Sequence, residues 1–80
     1  MNLYLLEQTD NNDYDTYDSM IVCAESEQDA RTIHPDGSTF VENTMRSSWA
    51  KLSENITCKL IGIAIEGATR GVLLASFNAG

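Results

Sequence analysis

Apolar and polar positions alternate in four separate stretches of the chain, and turn chemistry fills the breaks between them. Residues 2–8 (Asn-Leu-Tyr-Leu-Leu-Glu-Gln) are apolar and free of Gly and Pro, which predicts a first strand. Thr9-Asp10-Asn11-Asn12-Asp13 then predicts a turn, because Asn and Asp side chains bond their own backbone and tolerate the left-handed region. Over about 15–24, Met20, Val22 and Ala24 alternate with Ile21 and Cys23, giving a second strand and an antiparallel hairpin. On a regular strand Asp15, Tyr17 and Ser19 share the outer face, with Asp18 and Met20 pointing the other way.

The next stretch changes period. Ser26 with Asp29 resembles a capping box with Asp in place of Glu or Gln, and Glu27 and Asp29 complement the positive end of a helix dipole. Arg31 and His34 fall near the helix end, where His34 is read as a dipole or capping partner, and Pro35-Asp36-Gly37 terminates it. Ala30 and Ile33 are the expected core-facing positions of this helix of about two turns. Residues 36–53 have no clear period, with Phe40, Val41, Met45 and Trp49 scattered among Ser, Thr and Asn. They read as a long ordered loop or a second short helix around Met45–Leu52, with Trp49 covering an open edge of the core.

Residues 55–66 are strongly β-like, but their alternation shifts phase. Ile56, Cys58 and Leu60 share one face and Ile61, Ile63 and Ile65 the other, which a bulge near Gly62 or burial on both sides explains. Gly67–Gly71 is a turn and Val72–Phe77 a last strand. The order β-β-α-(loop or helix)-β-β predicts an α+β fold, a single domain over residues 1–80 with one short helix on a mainly antiparallel sheet of about four strands.

Composition bounds the chemistry. With 80 residues, 42% of them apolar, a packed core is expected and a deep enzyme pocket is not. The net charge of −7 argues against direct nucleic-acid binding or an anionic membrane surface. Residues 1–30 hold eight acids and no base, whereas residues 31–80 hold four acids and all five bases. The first thirty residues therefore dominate the electrostatics. With no basic leader and no apolar run near the ~20 residues a span needs, the expected location is the cytoplasm.

Motifs for catalysis and cofactors are weak. Cys23 and Cys58 lie in apolar strands and are expected as buried thiols, bridged only if their strands are neighbours. A Cys–His nucleophile would need one of them at a polar site beside His34, the only histidine. One His and two separated Cys make a poor metal set. EF-hand registers starting at Asp10 or Asp13 lack the required Gly and Glu, and Gly62 and Gly67 share the phosphate-loop offset but Ala68 stands where Lys is needed. Neither a cofactor, a metal nor an enzymatic activity is expected. What remains is Asp10, Asp13, Tyr14, Asp15, Tyr17 and Asp18, read either as a solvated acidic hairpin or as an anionic, Tyr-decorated surface for a basic partner.

Four segments carry a resemblance: Asn2–Leu6, Tyr14–Ser19, Ala24–Pro35 and Ala75–Gly80 look like those of short phage and prophage proteins. The size, acidity and ββα start also resemble small anti-CRISPR proteins that act on type I (Cascade) complexes. That resemblance implies a binding inhibitor in the cytoplasm of a bacterial host, monomeric or homodimeric, which meets a basic DNA-binding surface of Cascade; the assignment of the contact to the six hairpin residues rests on their charge pattern. The alternatives are an acidic interaction module of another kind, or a sponge for a nucleotide signal that uses Arg31, Arg46 or Arg70.

Overall fold

The computed structural model describes residues 1–12, 14–44 and 47–78. Four strands form one antiparallel sheet: β1 (Asn2–Gln8), β2 (Thr16–Ala24), β3 (Ile56–Ile63) and β4 (Gly71–Asn78), in the order β3-β1-β2-β4. A single α-helix, α1 (Glu27–Arg31), and a 3-10 turn, η1 (Ser53–Asn55), lie between β2 and β3. The α+β reading and its strand order along the chain are correct.

The topology explains which face is covered. β2 and β3 are both antiparallel to β1, so they run in the same direction and the chain must travel back along the sheet between them. That return segment carries α1 and Trp49 over one face. Strand alternation sends Tyr4, Leu6, Met20, Val22 and Ile56 to the same side, where they pack with Ala30, Ile33, Trp49 and Ala50. Ala30 and Ile33 are buried as the helix pattern predicts.

The helix is shorter than expected. Ser26 caps it, its side chain accepting from the Asp29 N–H, but Thr32 closes it after one turn by donating its hydroxyl to the Asp29 carbonyl. His34 is therefore not a cap. Pro35 and Asp36 instead sit at the centre of a turn closed by the Gly37 N–H donating to the His34 carbonyl at 2.8 Å. Among the described residues of 36–53 there is no second α-helix, so the loop reading holds, and Met45 lies outside the described residues. Trp49 is fully buried within the core rather than at an open edge.

Three register shifts interrupt the pairing. One falls between Leu3 and Tyr4 against Leu60 and Gly62, the bulge expected near Gly62. A second falls between Ile21 and Val22, where Leu73 is the extra residue of β4, and a third between Tyr17 and Ser19, leaving Asp18 without a partner on β4. This bulge reverses the alternation, so Tyr17 turns to the covered face while Ser19 stays on the other.

Candidate interaction surface at the acidic hairpin end

The loop joining β1 and β2 is built by side chains bonding to backbone. Gln8 and Asn11 clamp each other: the Asn11 N–H donates to Gln8 Oε1 and Gln8 Nε2 donates to the Asn11 carbonyl, both at 2.9 Å. Asn11 Nδ2 reaches on to the carbonyls of Ser47 and Trp49 at 2.9 Å each. Both Gln8 and Asn11 are buried, so these bonds replace water that the backbone would otherwise lack. Asp10 does the same from the neighbouring position, accepting from the N–H groups of Lys51 and Leu52 and from Asn55 Nδ2. Partial burial pushes its carboxyl pKa up, but the bonds from Asn55, Lys51 and Leu52 outweigh that and hold it below its ordinary value.

The six expected contact residues therefore separate. Asp10 is committed to the loop that covers the core. Tyr17 is half-buried, its ring 4.7 Å from Phe77 in an edge-on pair and 6.2 Å from His34, so it packs rather than presents. Asp13 lies outside the described residues. Tyr14, Asp15 and Asp18 remain exposed together at the hairpin end. Asp15 adopts a left-handed backbone at φ 59, one that Asp tolerates, and its N–H donates to the Asn78 carbonyl at 2.7 Å.

Charge pairing divides the acids in the same way. Arg70 pairs with Asp29 at 2.9 Å and Arg31 with Glu27 at 3.5 Å, both on the helix side. Arg31 also donates to the carbonyls of Ser53 and Ile56, and Arg70 to Thr32 Oγ1. In this structure these two guanidinium groups are engaged with protein groups; Arg46 lies outside the described residues. Neither Asp15 nor Asp18 has an ion-pair partner among the described residues.

A further polar cluster was not legible in the sequence. His34 lies between Ser48, whose Oγ is 3.3 Å from Nε2, and Asp36, whose Oδ1 is 3.0 Å from Nδ1. The spacing imitates a Ser-His-Asp array. The Asp36 N–H and the Asp36 carboxylate both approach Nδ1 at 3.0 Å, and the ring's tautomer sets whether Nε2 donates to or accepts from Ser48 Oγ. A base-activated serine requires the proton on Nδ1 and an Nε2 that accepts from the hydroxyl. The Asp36 carboxylate is in turn held by the Ser38 hydroxyl and N–H, which keep its pKa below the ordinary value. The cluster fastens the 33–39 turn to the 47–49 segment.

The cysteines also resolve. Cys23 pairs with Leu3 on one face and Cys58 with Leu6 on the other, on strands separated by β1, and both are free thiols. Burial raises the Cys58 pKa, with Glu27 adding to the effect. Among the described residues no group of His, Cys, Asp and Glu could hold a metal ion, and no helix is long and apolar enough to cross a membrane. No protein-family model, curated protein or solved structure matches this chain, so its geometry stands alone.

Proposed function

We propose that the protein is a non-catalytic binding inhibitor whose hairpin end, through Tyr14, Asp15 and Asp18, docks on a basic nucleic-acid-binding surface. The carrying observation is that these carboxylates are exposed and free of internal cations, while the molecule's described arginines are spent on Glu27 and Asp29. Unpaired carboxylates can take over the Arg and Lys side chains that otherwise grip phosphates, and Tyr14 adds rigid contact area with a polar tip. The resemblance to small anti-CRISPR proteins makes a type I Cascade complex the specific target, with target DNA excluded by occupation of its binding groove.

The test is co-purification with Cascade followed by a DNA gel shift. We expect a complex at micromolar protein and loss of DNA binding. The double variant Asp15→Asn/Asp18→Lys keeps a residue suited to the left-handed backbone at position 15 while reversing the charge balance. It should weaken inhibition at least tenfold at low salt with an unchanged melting temperature. Absence of a complex, or full inhibition by the folded variant, would overturn the proposal.

A further inference from the structure

The face of the sheet opposite Trp49 is covered only at one end, where the β3–β4 turn lies over Leu3 and the fully buried Cys23. Alternation sends Leu3, Leu5, Ile21, Cys23 and Leu74 to it, and cross-strand pairing sets Leu5 opposite Ile21 and Ile21 opposite Leu74. Two shallow apolar grooves cross it. One, of about 340 Å³, is lined by Leu5, Ser19, Ile21, Leu74 and Ser76. The other, of about 430 Å³, is lined by Leu3, Cys23, Ile63, Ile65, Ala68 and Leu73. Neither groove has a charged side chain in its lining. Leu74 is 66% exposed and Ile65 83%, large fractions for residues of this kind.

We infer that this face is the interface of a homodimer, packed sheet against sheet on a second copy of the same chain. Three observations choose that occupant. First, the size is right. Four strands about 4.8 Å apart and about eight residues long span roughly 19 by 26 Å, so two copies together bury about 1,000 Å², the lower limit for a specific interface. Second, the charge is right. The chain carries −7, yet the positions paired by strand register on this face include one carboxylate, Glu7, and one ammonium, Lys59, while the Asp18 carboxylate lies at its hairpin edge, 3.4 Å from Ser19 Oγ. A two-fold contact must be complementary to itself, and a face whose paired positions carry one charge of each sign satisfies that where the acidic hairpin end cannot. Third, the rival occupants lack their signatures. A basic partner finds no excess of carboxylates among these paired positions, and an anionic lipid surface meets a molecule of net charge −7 with a single lysine there.

The association is weak by area and opposed by the repulsion of two −7 molecules, so added salt tightens it, opposite to the salt response of the acidic hairpin end. The test is sedimentation equilibrium of the full chain over about 5 to 500 µM, a range that brackets the affinity of a small interface. The mass should rise from 8.8 kDa toward twice that value. Leu74→Glu places a carboxylate in the contact, and Ser76→Glu does so without removing apolar surface. Both should weaken the dimer at least tenfold while circular dichroism shows a native fold. Gln28→Glu, which adds the same charge on the exposed side of the helix, should leave it unchanged. A wild-type protein that stays monomeric at the highest concentration overturns the inference. So do folded Leu74→Glu and Ser76→Glu proteins that dimerise normally, and a monomer that sediments with phosphatidylcholine vesicles, which would assign the face to lipid. Because the inhibitor test reads Asp15 and Asp18 and this one reads Leu74 and Ser76, either can fail without the other.

Discussion

The two faces of this sheet are made from the same strands yet are treated oppositely by the rest of the chain. On one side, a return segment of irregular backbone brings Trp49, Ala50 and α1 over Leu6, Met20 and Val22 and excludes water completely. On the other, Leu3, Leu5, Ile21 and Leu74 meet only the turn that joins β3 and β4 at one end. Apolar side chains alone therefore do not define an interior here; what decides is whether the connection between β2 and β3 passes over them. The connection between β2 and β3 covers one face of the four-stranded sheet, and the other is the face inferred above to meet a second copy.

The contrast can be broken first at its strongest point. Trp49→Ala removes the largest fully buried side chain, and the resulting cavity should cost about 3–5 kcal/mol in urea unfolding, enough to leave much of the protein unfolded. A loss under about 1 kcal/mol would mean that the covered face is not the true core.

Acid gives a smaller and graded effect. Asp10, Asp29 and Asp36 all titrate below their ordinary value of 3.8 when folded. Arg70 is the main cause for Asp29, with the Glu25 N–H assisting. Since the unfolded chain binds these protons more readily, the stabilisation is fully present above the ordinary carboxylate range and is lost as pH falls through the lower folded values. The melting temperature should hold between pH 7 and 5 and drop below about pH 4, with hydrogen exchange of the Lys51 and Leu52 amides accelerating first because Asp10 holds them. A melting temperature that rises on acidification would mean that relief of the −7 charge outweighs these bonds.

The smallest effect belongs to the open side. Ile65→Thr, at a position 83% exposed, should change the stability of the dilute monomer by less than about 0.5 kcal/mol. A larger loss would show that the β3–β4 turn packs more firmly than its exposure indicates.

Much of this architecture was readable from period alone. The first strand fits its pattern at both ends, and the phase change at Gly62 announced a bulge that the pairing with Leu3 bears out. Other features lay beyond such reading for physical reasons. The bulge at Asp18 leaves no mark in an alternating pattern, yet it turns Tyr17 inward and removes it from the surface it was expected to decorate. Residues 36–53 are held by bonds from distant side chains: Asn11 to Ser47 and Trp49, Asp10 to Lys51 and Leu52, Glu42 to Ser53. Such bonds need no period, so they give no signal. The acidic character of the hairpin end was plain in the residue order, but that Asp10 is consumed internally while Asp15 and Asp18 have no ion-pair partner among the described residues required the geometry.

The placement of β1 between a near partner and a remote one sets the order in which the chain can assemble. β2 follows β1 after a short loop, whereas β3 is synthesised more than thirty residues after β2 begins its return. A nascent chain therefore makes its central hairpin early and waits for both flanking strands, and closure over that distance slows folding. During that wait both edges of the hairpin are bare, the circumstance in which strands recruit strangers. The first 24 residues carry five carboxylates and no cation, so emerging hairpins repel one another at the stage when they are least protected.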